Sequence, residues 1–347
     1  MVAVSQPVKQ PASAIWHECT VYFSHSHRVA CSMCRMMLLR LATAAALKPE
    51  CRVLSLSGGG SFGAFEAGVL SHMTEQEPGL NYDFMLGVSA GALNTGYLST
   101  FGSDATGLQQ GVKALQELWA STKSKDVWSL RPNPFKAPPG LLTTTPLEHL
   151  LERVLSGRRV QRNVTIGTTN LATGATARHD EINLASNPIQ VLLASAAIPA
   201  VFPPVALNGT QHVDGGNSAN VLTIHGIDRC DLLAKSRGMI TPPTIQLDVV
   251  LAMDMIEQVT PAQTMQWGML DLAAREFLIA KKQLFDHQLR FRCPKGRSSR
   301  IHMTVHTPNG VIEKGTLALL NFDKGKDIWA FGHNVSNVNV TTFGFCL

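Results

Sequence analysis

Three short stretches of this chain hold groups that together could attack a carbonyl carbon. Ser89 lies in Gly87-Val88-Ser89-Ala90-Gly91, straight after the apolar run Phe84-Met85-Leu86. A serine hydroxyl is a weak nucleophile at neutral pH and has to be presented and activated. The Gly-x-Ser-x-Gly spacing presents it. A sharp turn from strand to helix lifts the serine out of the chain, and Gly87 and Gly91 let neighbouring backbone pass close. Upstream, Val53-Leu54-Ser55-Leu56 runs into Gly58-Gly59-Gly60-Ser61-Phe62-Gly63, ahead of a helix expected over 64–74. Unpaired N–H groups at such a junction form an anion site. A dinucleotide phosphate cradle would call for an acidic residue ending a second strand about 20 residues later, and the serine turn stands there instead. The loop Gly58, Gly59, Gly60, Ser61 and Gly63 is therefore expected to be an oxyanion hole, with N–H donors from Gly59, Gly60 and Ser61.

The serine needs a proton acceptor. Among 12 His, none stands in a comparably specific setting. His212 shares a strand face with Asp214 if that segment is extended, and a late histidine such as His287 or His302 would complete a Ser-His-Asp triad. Asp214, followed by Gly215 and Gly216, sits where a strand ends in a tight turn, so its carboxylate can reach a neighbouring loop.

In this order the motifs resemble those of the patatin-like phospholipase family. The glycine loop, the serine turn and Asp214-Gly215-Gly216 carry the resemblance, helped by three further segments. These are Leu193 to Pro204 before the Asp strand, Val164 to Gly174 as a middle strand, and Leu317 to Gly332 near the end of the domain. The resemblance implies a Ser89–Asp214 dyad without histidine, an acyl-enzyme intermediate, no cofactor and no metal. It implies hydrolysis of carboxylic esters in phospholipids or other acyl lipids, as part of lipid catabolism. It also implies a three-layer α/β/α domain. This chain departs from the family's usual pattern at Phe62, where a basic residue is common, and at Ser57, where Asp is common. Phe62 leaves the oxyanion hole without a neighbouring positive charge.

These residues must be held by alternating strands and helices. Strands are expected at 52–57, 83–87, 163–169, 211–214, 245–252 and 300–306. Helices are expected at 64–75, 90–99, 108–120, 146–155, 188–197 and 262–288. That alternation describes an α/β fold, a mainly parallel central sheet with helices on both faces. A catalytic domain over 51–335 is expected, with residues 1–50 as a poorly ordered or targeting extension and 336–347 as a tail. The proline-rich segment 123–145, with Trp128, Leu130, Phe135, Leu141 and Leu142, reads equally as a lipid-facing lid or as a plain connector.

The 347 residues carry a net charge of +5, a mild basic excess that suits transient contact with a membrane or lipid-droplet surface. No basic run supports nucleic-acid binding. Seven scattered cysteines point to mostly free thiols and an intracellular, reducing location. A secreted or organelle-targeted protein, led by the N-terminal extension, is the alternative. Cys31-Ser32-Met33-Cys34 has no second Cys-x-x-Cys to complete a metal site.

Overall fold

A computed structural model describes residues 50–252, 300–313 and 318–345, with scattered positions between 260 and 284. The helix expected at 262–288 falls largely, and His287 wholly, outside the described residues, as does the extension over 1–49. The described residues belong to a unit spanning Pro49–Leu347.

In chain order the elements begin with β1 (Cys51–Leu56), α1 (Gly63–Gln76), β2 (Phe84–Val88), α2 (Ala90–Leu98) and α3 (Ala105–Ser121). A short hairpin follows, β3 (Ser129–Leu130) and β4 (Leu142–Thr143), then α4 (Thr145–Leu155), β5 (Val164–Asn170) and β6 (Thr176–Asp180). Next come α5 (Glu181–Ser186), α6 (Pro188–Ser195), β7 (Val205–Leu207), β8 (Thr210–Asp214) and α7 (Thr223–Ser236). The last elements are β9 (Ile245–Val250), β10 (Ile301–Pro308), α8 (Gly325–His333) and β11 (Val338–Phe345).

The main sheet follows the hydrogen-bonded path β11-β10-β9-β1-β2-β5-β8-β7, with β6 on β5. From β10 to β5 the pairing is parallel, and β11, β6, β8 and β7 pair antiparallel. Strand alternation sends side chains to two separate cores. Leu54, Leu56 and Met85 enter the larger one with helices α1, α2, α3 and α6, while Cys51, Val53, Phe84, Leu86 and Val88 enter the smaller one with α7. These are the two helical layers of an α/β/α sandwich.

Residues 338–345, expected to lie in a tail, form the edge strand β11 along the whole of β10. Two of the seven cysteines depart from the expected free thiols. Cys51 and Cys230 form a disulfide across 179 residues, tying α7 to the start of β1. Their Cα atoms lie 5.8 Å apart, an ordinary separation for the bond.

Candidate active site

The pairing around β5 decides where the site lies. Val88 is the partner of Gly167 and Asp214 is the partner of Thr168. Strand β6 pairs with β5 at both of those levels, so it takes the opposite edge. Strands β2 and β8 therefore share one edge of β5 and meet end to end. Val88 and Asp214 are about one residue's rise apart along it, ~3.3 Å. Ser89, next after Val88, leaves that edge at the point where Asp214 arrives.

Ser89 takes φ 54° and ψ −122°, a conformation seldom adopted by a residue with a Cβ. The glycines of the turn are required by space. A Cβ on Gly87 would lie 2.3 Å from the Gly91 carbonyl oxygen, and one on Gly91 would lie 2.5 Å from that of Leu56. Two hydrogen bonds hold the turn in place. Gly91 N–H donates to the Ser57 carbonyl (3.0 Å), and Ser89 N–H donates to Ser195 Oγ (2.9 Å). Ser195 Oγ in turn donates to the Gly167 carbonyl (2.7 Å), fixing the turn to β5.

Asp214 closes its own tight turn, accepting from Gly216 N–H at 2.8 Å, while its N–H donates to the Ala197 carbonyl. Gly215 must be glycine, because a Cβ there would lie 2.3 Å from the Gly167 carbonyl oxygen. Both Ser89 and Asp214 are 5% exposed, enough for contact with a bound molecule and too little for bulk hydration.

The glycine loop lies directly over this junction. A Cβ on Gly58 would be 3.0 Å from Ser89 Cβ. Gly58 N–H donates to Asn220 Oδ1 (3.2 Å), and Ser61 Oγ donates to the Ala318 carbonyl (3.0 Å). Gly60, at φ 57°, has Leu319 pressed against it. Among the described residues, the N–H groups of Gly59 and Gly60 have no hydrogen-bond partner. Gly63 opens α1 against Trp119 and Ala90. Phe62 is half-buried and packs on the larger core.

The candidate histidines are placed differently. His212 does share a strand face with Asp214, but both ring nitrogens are engaged, Nδ1 with Thr168 Oγ1 and Nε2 with Thr210 Oγ1, each at 2.8 Å. His179 shares Thr168 (2.9 Å), and burial holds both imidazoles below their ordinary range, hence neutral. His302 is the second residue of β10, separated from β2 by β9 and β1 and at the opposite end of the strands from Ser89.

Four supporting residues escaped the sequence reading: Ser195, Asn220, Glu66 and Asn94. Glu66 is fully buried in α1 and hydrogen-bonded by Asn94 Nδ2 (3.0 Å) and Ser57 Oγ (3.3 Å). Burial pushes its carboxyl well above the ordinary range, against the opposing pull of Asn94 and Ser57. Ser57, in the position where the family often has Asp, also accepts from Ala252 N–H (2.9 Å). Trp119 Nε1 donates to Asn94 Oδ1 at 2.8 Å, closing a polar cluster beneath the glycine loop.

A narrow apolar cleft lies among α2, α3, α4 and α6, and its lining begins at Leu93 rather than at the serine turn itself. Leu93, one helical turn from Ser89, lines it with Tyr97, Leu115, Trp119, Leu151 and Phe322.

Residues 54–225 match the family model of patatin-like phospholipases, a span that holds the glycine loop, the serine turn and Asp214. The chain carries a patatin-like phospholipase domain. Membership supports lipid acyl hydrolysis in general. VipD from Legionella pneumophila is a similar solved structure. It is 14% identical, with 84% of this chain and 68% of that one covered and a TM-score of 0.35, too distant to carry an argument. No curated protein matches the chain. Among the described residues, no helix is long and apolar enough to cross a membrane.

Proposed function

We propose that this patatin-like domain hydrolyses carboxylic ester bonds of phospholipids or other acyl lipids through Ser89 and Asp214. The observation that carries the proposal is the end-to-end meeting of β2 and β8 on one edge of β5. In this scheme Ser89 Oγ attacks the acyl carbonyl while its proton passes to the Asp214 carboxylate. The glycine loop receives the oxyanion, with the unpaired N–H groups of Gly59 and Gly60 as the first donors. Collapse of the tetrahedral intermediate expels the alcohol, which takes the proton from Asp214. Water then attacks the acyl-enzyme, giving its proton to Asp214, and Ser89 is reprotonated as the fatty acid leaves. No step needs His212, whose nitrogens are already committed.

In this scheme the acyl chain lies toward the narrow cleft beside Leu93, whose lining is almost wholly apolar. Contact with a membrane or droplet surface is supported by the β3–β4 hairpin. Its Leu130, Phe135 and Leu141 are exposed, while Trp128 and Leu142 anchor its base on Phe202 and Leu320. The disulfide favours the oxidising-compartment alternative for location over the intracellular one. The catalytic unit is proposed to extend from residue 51 through β11.

Ser89→Ala should abolish both ester hydrolysis and labelling by a fluorophosphonate. Asp214→Asn should lower turnover by at least ~10², as expected on losing a positioned base, whereas His212→Gln should cost much less. Undiminished labelling of Ser89→Ala, or inactivation by His212→Gln as complete as by Asp214→Asn, would overturn the dyad.

A further inference from the structure

Helices α1 and α8 approach closely through two glycines. A Cβ on Gly68 would lie 2.2 Å from the Trp329 carbonyl oxygen, and one on Gly332 would lie 2.3 Å from that of Phe65. This contact brings together polar side chains that lie far apart in sequence. His72 and Glu75, three residues apart, project from one face of α1, and His333 is the last residue of α8.

One ligand atom from each of the three lies within 4.8 Å of the others. His333 Nε2 is 2.9 Å from Glu75 Oε2, and the His72 and His333 rings meet edge to face with centroids 6.0 Å apart. The His333 ring is oriented before any ligand arrives. It stacks on Trp329 at 4.8 Å, and the Trp329 indole N–H donates to Ser71 Oγ on α1.

We propose that His72, Glu75 and His333 bind a divalent transition metal of the zinc class. Two imidazoles and one carboxylate are a borderline donor set that suits Zn²⁺, with water completing a tetrahedron. Calcium and magnesium call for oxygen donors and are disfavoured. Ligands about 2.1 Å from a tetrahedral ion sit about 3.4 Å from one another. From a spread of at most 4.8 Å the widest pair therefore closes by no more than about 1.4 Å, within the swing of the half-buried His72 and exposed Glu75 side chains.

The metal would be structural. His72 lies nine residues along α1 from Gly63, about 14 Å at the helical rise, so a water on the ion does not reach Ser89. The ion would clamp α8 onto α1, and the turn at Ala318–Leu320 ahead of α8 rests on Gly60 and Ser61 of the glycine loop.

The test is calorimetric titration of Zn²⁺ into the chelator-stripped whole chain carrying Cys31→Ser and Cys34→Ser, which removes the Cys-x-x-Cys pair as a competing site. One equivalent should bind. His72→Ala, Glu75→Gln and His333→Ala should each weaken affinity by at least ~10-fold, no less than the loss of an outer-shell partner causes. Co²⁺ should give tetrahedral d–d bands without thiolate charge transfer, and Zn²⁺ should raise the Tm of the parent but not of His333→Ala. Ser89→Ala should bind as the parent does, which separates this result from the fate of the hydrolase reading. Absence of binding, or equal affinity in all three ligand variants, would overturn the proposal. Glu75→Gln, at an exposed position, is the variant least able to disturb folding.

Discussion

Ser89 holds a backbone conformation that costs on the order of 1–3 kcal/mol and persists only because its surroundings impose it. Those surroundings divide into what local chemistry announces and what it does not. Gly87, Gly91, Gly215 and the glycine loop were legible, because a tight turn selects glycine within a few residues of the group it presents. Ser195, Asn220 and Glu66 were not. Ser195 reaches Ser89 across 106 residues and Asn220 reaches Gly58 across 162, and nothing near either residue marks the contact. Glu66 sits in a helix where an acidic residue ordinarily faces water. Burial pushes its carboxyl well above the ordinary carboxylate range, so the folded state holds the proton more tightly than the unfolded one. Its contribution to stability is thus complete below the ordinary carboxyl range and is lost as pH rises above it, the reverse of an ion-paired carboxylate. Glu66→Gln, which mimics the protonated form, should flatten that loss. Urea unfolding from about pH 5 to about pH 9 should show the variant gaining on the parent as pH rises.

At the level of elements, the parallel βα alternation was readable because apolar runs were separated by glycine turns. Five of the six expected helices and all six expected strands occupy described segments close to their expected bounds. The elements missed are those with weak patterns. Helices α7 and α8 mix glycine and histidine into their apolar patterns, α5 is a six-residue segment, β3, β4, β6 and β7 are short hairpin strands, and β11 is an edge strand rich in Asn and Thr. The end-to-end meeting of β2 and β8 could not be read from either strand, since it depends on how β5 divides its edges. The β3–β4 hairpin resolves the choice between lid and connector only in part. Its base is fixed by Trp128 Nε1 donating to the Leu320 carbonyl and by Leu142 N–H donating to that of Val201, while Phe135 is 92% exposed. Phe135→Ser with Leu130→Ser should lower hydrolysis of vesicle lipid several-fold and leave a soluble short-chain ester unaffected. An equal loss on both substrates would show that the hairpin serves the site itself rather than the lipid surface.

For the whole molecule, the Cys51–Cys230 bridge closes a long loop between the first strand of the sheet and the only α-helix described on its smaller face. Constraint of the unfolded chain by such a loop is typically worth about 2–4 kcal/mol. Cys51→Ser with Cys230→Ser should lower stability by about that amount in denaturant titration, and reductant should have the same effect on the parent alone.

The turn between β5 and β6, residues 171–175, is exposed throughout and lies between Ser89 and Asp214 in sequence. A protease nicking that turn would place nucleophile and base on separate polypeptides, yet Cys51 and Cys230 also fall on opposite sides of the cut. The product would be a two-chain enzyme held by one covalent tether, with nicking invisible on a non-reducing gel and two pieces released on reduction. Hydrolysis should survive the nick, because the edge of β5 that joins β2 to β8 is left whole.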